Sequence, residues 1–359
     1  MASIALQAHA LHPFLEATLR SVEAERRHRR YVHELEPRLE NLIDRHARHV
    51  LYRLSRQGLL SAETLDACRQ ASPETAPFLG WLLARLARPQ PEGNWLIARP
   101  QFDRHSLDYT WSNLLREQPE YLPIVHACGR IDLYLNHILT GSRPVDEAYP
   151  QDLSATALYR HVGNETATHG VADVLVDRIS QARLMGTAEQ HIGLLEIGPF
   201  GPVFGAELRE ALQANRCDYT YLSPSDTAAA TVPQADLILF HADYAASQPA
   251  VRALGFASRH LKPGGTLLLR GLQPAAWMDF LFGARAGWWV DGLDGGKASP
   301  QSPPATWQVQ MIQLGLMCCE DPLEYAPGTG RGAYQLMATL PASRSAVAAA
   351  PRKNAQTLD

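Results

Sequence analysis

Three stretches of this 359-residue chain carry residues whose types and spacing could do chemistry. The first is Leu194-Leu-Glu-Ile-Gly-Pro-Phe-Gly-Pro-Val-Phe204, an apolar strand running into Glu196-Ile-Gly198 and then toward a helix. Nucleotide cofactors are held at such strand-to-helix turns, where missing side chains let the backbone touch the ligand and adopt positive φ. Gly198 stands at the first glycine of a Glu/Asp-x-Gly-x-Gly-x-Gly loop, but Phe200 and Pro202 occupy the next two glycine positions. Gly201 falls between them, and Pro199 stiffens the turn. The second stretch is His241 and Asp243, a candidate acid/base pair that shares a face only if the segment stays regular. The third is His46-Ala-Arg-His49 with His28 and His33. Their spacing could hold a metal, yet no acidic or cysteine ligand completes a set, and histidines among arginines on a helix read as a solvated face. No metal is expected.

The elements that must position these residues fall into two patterns. From about residue 14 to 140 the apolar spacing is helical, with Leu35, Leu39, Ile43, Val50 and Leu54 down one face. No alternating strand interrupts it. Ser72-Pro73-Glu74 reads as a capped helix start, and a turn begins at Gly141-Ser-Arg-Pro144. After a helix over Val171 to Leu184, the pattern changes to alternating strands and helices. Strands are expected at Ile192–Ile197, Tyr219–Ser223, Ala235–Phe240 and Thr266–Leu269, and helices at Ala206–Leu212 and Val251–His260. Leu261-Lys-Pro-Gly-Gly265 turns into the last of these strands. Such alternation implies a mostly parallel sheet with helices on both faces, which binds ligands at the carboxyl ends of its strands.

Composition bounds the rest. With 46% hydrophobic and 19% charged residues and a formal net charge of −4, the chain suits a protein of about two domains with real cores. The mild acidity argues against nucleic acid as the main partner. No apolar run reaches membrane-helix length, no secretory signal opens the chain, and a cytoplasmic location is expected. The five cysteines show no Cys-x-x-Cys spacing, and Cys318 and Cys319 are expected on a buried strand.

From roughly Tyr109 to Pro341 the chain resembles the C-methyltransferase domain of polyketide synthases and related fatty acid synthases. Four features carry the resemblance. Glu117-Gln-Pro-Glu-Tyr121 with Leu139-Thr-Gly141 is similar to the family's lid segments. Glu196-Ile-Gly198 matches its S-adenosylmethionine (SAM) loop, and Leu261-Lys-Pro-Gly-Gly265 its turn before the fifth strand. Most specific is Phe282-Gly-Ala-Arg-Ala-Gly-Trp-Trp289, similar to a Phe-Gly-Leu-x-x-Gly-Trp-Trp segment. The resemblance implies a Rossmann-like class I SAM-methyltransferase core, a mostly parallel sheet with helices on both faces, preceded by an all-helical lid domain. Residues 1–155 are expected to form the lid, 156–341 the core and 342–359 a disordered tail or linker.

The same comparison exposes losses. The family ends its second strand in Thr-Asp-Ile-Ser, whose carboxylate binds the ribose; Thr220-Tyr221-Leu222-Ser223 stands here, with Tyr221 at the ribose position. The catalytic histidine of the family falls on Ala245, and its glutamate partner on Gly271, or on Arg270 if the register moves by one. Carbon methylation of a β-ketoacyl thioester needs that base to form an enolate, and alanine with glycine cannot supply it. Losing the ribose hydrogen bond costs roughly 1.5–3 kcal/mol before any clash from Phe200.

The resemblance therefore implies a pseudo-methyltransferase with no cofactor and no catalytic residue, a structural or acyl carrier protein-interacting component of polyketide biosynthesis. Two alternatives remain open: an active SAM-dependent C-methyltransferase on a β-ketoacyl carrier protein, and a SAM-independent enzyme using His241, Asp243 or a cysteine. Trp288 and Trp289 either pack or line an acyl pocket, packing being favoured for at least one. The run Arg26-Arg-His-Arg-Arg30 reads as an exposed helix surface, with contact to an acidic carrier protein the minority reading. Other synthase domains are further expected partners, with neither nucleic acid nor membrane among them.

Overall fold

The structure, a computed structural model, describes residues 26–101, 104–149, 153–167, 191–198, 202, 209, 212–213, 216–292, 295–318, 322–324 and 328–341. The expected helix over 171–184, most of that over 206–212, Phe200, Gly201, Cys319 and the tail from 342 lie outside these residues. The chain divides into two units. One gathers Arg27–Val162 and Pro274–Gln301; the other gathers the described residues of Gly163–Gln273 and those from Ser302 onward. Residues 274–301, which contain the Gly-Trp-Trp segment, thus join the helical unit, whereas the sequence placed all of 156–341 in one core.

In the helical unit a π-helical turn, Tyr31–Leu35, leads into α1 (Glu36–Leu54). The buried stripe begins at Leu35 of that turn and runs along α1 through Leu39, Leu42, Ile43, Ala47 and Leu51. The stripe follows 3.6 residues per turn and so drifts off Val50 and Leu54, which are only half-buried. Then come β1 (Leu59–Leu60), α2 (Ala62–Ala71), α3 (Ala76–Leu86), β2 (Ala87–Pro89) and β3 (Trp95–Ile97). The three strands form a small antiparallel sheet, β1-β3-β2, in a region that the sequence presents as all-helical. They are two or three residues long, too short for alternation to register. Ser61 caps α2 by accepting from the Thr64 N–H at 3.2 Å. Ser72, expected to cap the next helix, offers its carbonyl rather than its side chain, to the Thr75 hydroxyl at 3.0 Å.

α4 (Arg104–Glu117), α5 (Leu122–Thr140) and α6 (Ala155–Ala167) follow. Pro119-Glu-Tyr121 is a 3-10 turn into α5, and the Tyr121 hydroxyl donates to the Arg27 carbonyl at 3.1 Å. Gly141 ends α5 at φ +62°, where a Cβ would fall 2.7 Å from the Ala71 carbonyl oxygen; only glycine serves there.

The second unit is built on β4 (Ile192–Ile197), β5 (Cys217–Leu222), β6 (Ala235–His241), α7 (Gln248–His260) and β7 (Leu261–Leu272). The chain leaves the sheet through α8 (Ala276–Phe282), β8 (Val290–Asp291) and β9 (Lys297–Ala298), which belong to the helical unit. It returns with α9 (Pro304–Gln313), β10 (Met317–Cys318), β11 (Leu323–Glu324) and β12 (Ala333–Thr339). The sheet order is β10-β12-β7-β6-β4-β5, with β11 also on β12. β7, β6, β4 and β5 run parallel; β12 and its neighbours are antiparallel. This is the expected α/β architecture with a mixed edge. Leu195, Ile197, Ile238, Phe240, Leu267 and Leu269 pack with α7 and with Trp307 and Met311 of α9. Leu194, Leu237, Leu239 and Leu268 pack on the opposite face with Leu212. Lys262-Pro-Gly-Gly265 is absorbed into β7, where five residues span the length of two in β6. Cys318 lies half-buried on a two-residue edge strand, because its partner β12 is the last long strand on that side.

Candidate functional site

β4 is flanked by β5 on one side and β6 on the other, so the strand order reverses between β4 and β6. Open α/β sheets bind ligands at the carboxyl side of such a switch point. Glu196 is the penultimate residue of β4 and His241 the last of β6. Glu196 is in register with Tyr221 and with Leu239, so its side chain shares a face with both and with His241, two residues beyond Leu239. The consequence is a bond across the switch point. His241 Nε2 lies 2.9 Å from Glu196 Oε1, with the side chains 4% and 0% exposed. Glu196 Oε2 accepts from the Tyr219 hydroxyl at 2.6 Å. Burial, and then the adjacent Glu196 carboxylate, push the Tyr219 phenol well above its ordinary range, so it keeps its proton and donates.

Gly198 sits directly beneath this pair. A Cβ there would lie 2.9 Å from His241 Cβ and Cδ2. In this chain the first loop glycine is thus required by an imidazole packed on its Cα. The Tyr221 hydroxyl donates to the Gly198 carbonyl at 2.6 Å, while the Gly198 N–H reaches the Leu222 carbonyl at 3.2 Å. The Tyr221 side chain is therefore tied to the backbone of the loop that follows β4. The next carboxylate along, Asp226, accepts from the Ser223 N–H at 3.4 Å and hydroxyl at 2.7 Å, which makes it the cap of a local turn. Pro202 is exposed.

Other sequence-derived positions are placed as follows. Asp243 accepts from the Tyr244 N–H at 2.8 Å, while the imidazole of His241 reaches Glu196 instead. Ala245 is half-buried in a segment fastened by Ser302, whose hydroxyl accepts from the Ala246 N–H at 2.8 Å. Gly271 faces Tyr334 across the β7–β12 pair, and a Cβ at Gly271 would fall 2.6 Å from the Tyr334 hydroxyl oxygen. An aromatic ring laid over a cross-strand glycine leaves no room for a glutamate. Arg270 is buried, in register with His241.

Trp288 and Trp289 lie in the helical unit. Trp288 Nε1 donates to Asp279 Oδ1 at 3.0 Å, and its ring stacks on Phe282 at 5.2 Å. Burial lifts the Asp279 carboxyl above its usual range, partly offset by hydrogen bonds from Ser299 and Trp288. Trp289 Nε1 donates to the Gly283 carbonyl at 2.7 Å beside Trp81. Both indoles have the anchored N–H of packing residues. His28 is buried beside Tyr31, His33 is exposed, and His46 lies between Asp132 and the Trp111 indole. Among the described residues no three potential ligands converge on a metal position. Of the basic run, Arg30 pairs with Glu120 at 3.2 Å. No described helix is long and apolar enough to cross a membrane.

The Glu196–His241 pair was missed by reasoning from the sequence because its members are 45 residues apart. The available signal was register: each residue sits at the carboxyl end of one of two parallel strands that adjoin at the switch point.

No protein-family model matches this chain, and no curated protein matches it. Solved structures do. The citrinin polyketide synthase CMeT domain is similar at 16% identity and a TM-score of 0.58, over 94% of this chain and 98% of that one. The DszA carbon methyltransferase gives 16% and 0.56, over 89% and 94%. The CurJ carbon methyltransferase gives 16% and 0.54, over 92% and 99%. The fold is that of polyketide synthase carbon methyltransferase domains.

Proposed function

We propose that this chain is a polyketide synthase-type pseudo-methyltransferase, which neither binds SAM productively nor methylates, and which acts as a structural or carrier protein-interacting component. In this reading the helical region is its lid, the sheet unit a decayed catalytic core, and residues 342–359 a tail or linker. One observation carries the reading: the Glu196–His241 hydrogen bond closes the switch point, with the imidazole seated on the Cα of Gly198. The surroundings do not fit SAM. Tyr221 binds the loop where an acid would receive ribose hydroxyls, and Asp226 is held by Ser223. No enolate-forming base is offered by Ala245, and Gly271 is overlaid by Tyr334. With ligand and chemistry lost together, what such a domain still offers is its shape and surface, and acyl carrier protein or neighbouring synthase domains are the proposed partners. The test is mass spectrometry of a β-ketoacyl carrier protein incubated with the protein and SAM. Unchanged mass is expected; a gain of one methyl would overturn the reading and restore an active methyltransferase.

The His241–Glu196–Tyr219 chain favours one second reading, a SAM-independent reaction on an acyl thioester with His241 as acid/base and Glu196 positioning it. The same incubation without SAM, followed for any chemical change in the thioester, decides it. Cysteine chemistry has less support, since burial pushes the Cys217 thiol up to about 12, far from the thiolate a nucleophile needs.

A further inference from the structure

A cavity of about 310 Å³ opens in the helical unit between α1 and the segment after β3. Asn41, Asp44, Arg45 and Arg48 of α1 line it, with Arg99 and Gln101 opposite. Positions 41, 44, 45 and 48 are three and four residues apart, so one helix face presents all four. Among the described lining residues the guanidiniums of Arg48 and Arg99 meet one carboxylate, and that carboxylate is already engaged, since Arg85 Nε donates to Asp44 Oδ1 at 2.5 Å. Positive charge is therefore in excess within a concave wall, which concentrates anions. Arg48 Nε is buried with no hydrogen-bond partner among the described residues. A buried donor without an acceptor is costly, and an anionic oxygen would satisfy it.

We propose that this cavity binds a phosphate-bearing small molecule, its phosphate held by Arg48 and Arg99 with the amides of Asn41 and Gln101 alongside. The tetrahedral oxygens of a phosphate monoester reach several guanidinium forks at once, whereas a carboxylate offers two oxygens in one plane. The volume sits at the small end of ligand pockets, about 300–1,000 Å³, and so suits a compact organic phosphate. This site stands on its own residues, and loss of SAM binding elsewhere in the chain neither supports nor weakens it.

The probes are inorganic phosphate, ribose 5-phosphate and ribose, titrated at constant ionic strength against chloride and followed by thermal shift and calorimetry. Both phosphates are expected to raise Tm and ribose is not. Arg48→Gln and Arg99→Gln should each weaken binding by about tenfold or more. Arg99 is exposed, so its variant keeps the fold and remains decisive if Arg48→Gln does not fold. Arg38→Gln, whose guanidinium pairs with Glu117 at 2.8 Å outside the cavity, should bind as wild type does. A phosphate effect no larger than that of chloride, or equal binding by wild type and Arg99→Gln, would overturn the proposal.

Discussion

Gly198 looks like a residue kept for a cofactor, and its surroundings give it another use. The imidazole of His241 packs against its Cα, so the same absence of a Cβ that admits a methionine chain in a working loop admits a side chain here. Two substitutions separate the effects. Gly198→Ala should destabilise the fold by about 1–3 kcal/mol through overlap with the ring. His241→Ala should cost roughly 1.5–3 kcal/mol by leaving buried Glu196 with one fewer partner. Because the overlap with Cδ2 and Cγ goes with the ring while that with the His241 Cβ stays, the double variant should cost less than the sum of the two. Urea unfolding of the four proteins reads this coupling. Strict additivity would mean that Gly198 answers to something other than the His241 ring. At Gly271 the logic repeats with Tyr334, whose ring takes the space that a side chain at 271 would need.

At the scale of elements, capping distinguishes positions that look alike in sequence. Ser61 and Ser72 both precede helices, but only Ser61 accepts a hydrogen bond from a helix N–H. Ser61→Ala should cost about 1 kcal/mol and Ser72→Ala no more than about 0.5 kcal/mol, by urea midpoints. Equal losses would contradict the capping assignment. The strands of the sheet were legible because parallel, doubly covered strands such as Leu237-Ile-Leu-Phe240 are continuous apolar runs, and the Lys262-Pro-Gly-Gly265 turn marks the next one. The small β1-β3-β2 sheet was not legible, since its strands are shorter than a period of alternation. The candidate site was half legible. Glu196, Gly198, Tyr221 and His241 could each be singled out from local pattern, but that Glu196 and His241 meet depends on the pairing of strands 45 residues apart. Asp243, two residues from His241 and the nearer candidate by sequence, turns to its neighbour's backbone.

For the whole molecule, the sheet unit has the fold of polyketide synthase carbon methyltransferase domains, and the Glu196–His241 pair bridges the carboxyl end of its switch point. The apolar faces of such a sheet carry its stability and a few residues at its carboxyl edge carry chemistry, so the fold does not by itself fix the activity. In the helical unit, Trp288 and Trp289, for at least one of which the sequence favours packing over a pocket wall, are fastened to Asp279 and to the Gly283 carbonyl. The central claim is that the switch point is closed to SAM by its own side chains. Isothermal titration calorimetry of the intact chain with SAM and with S-adenosylhomocysteine tests it most directly. No binding heat from either ligand at high micromolar concentration is the expected result; saturable binding of either one by the intact chain would contradict it.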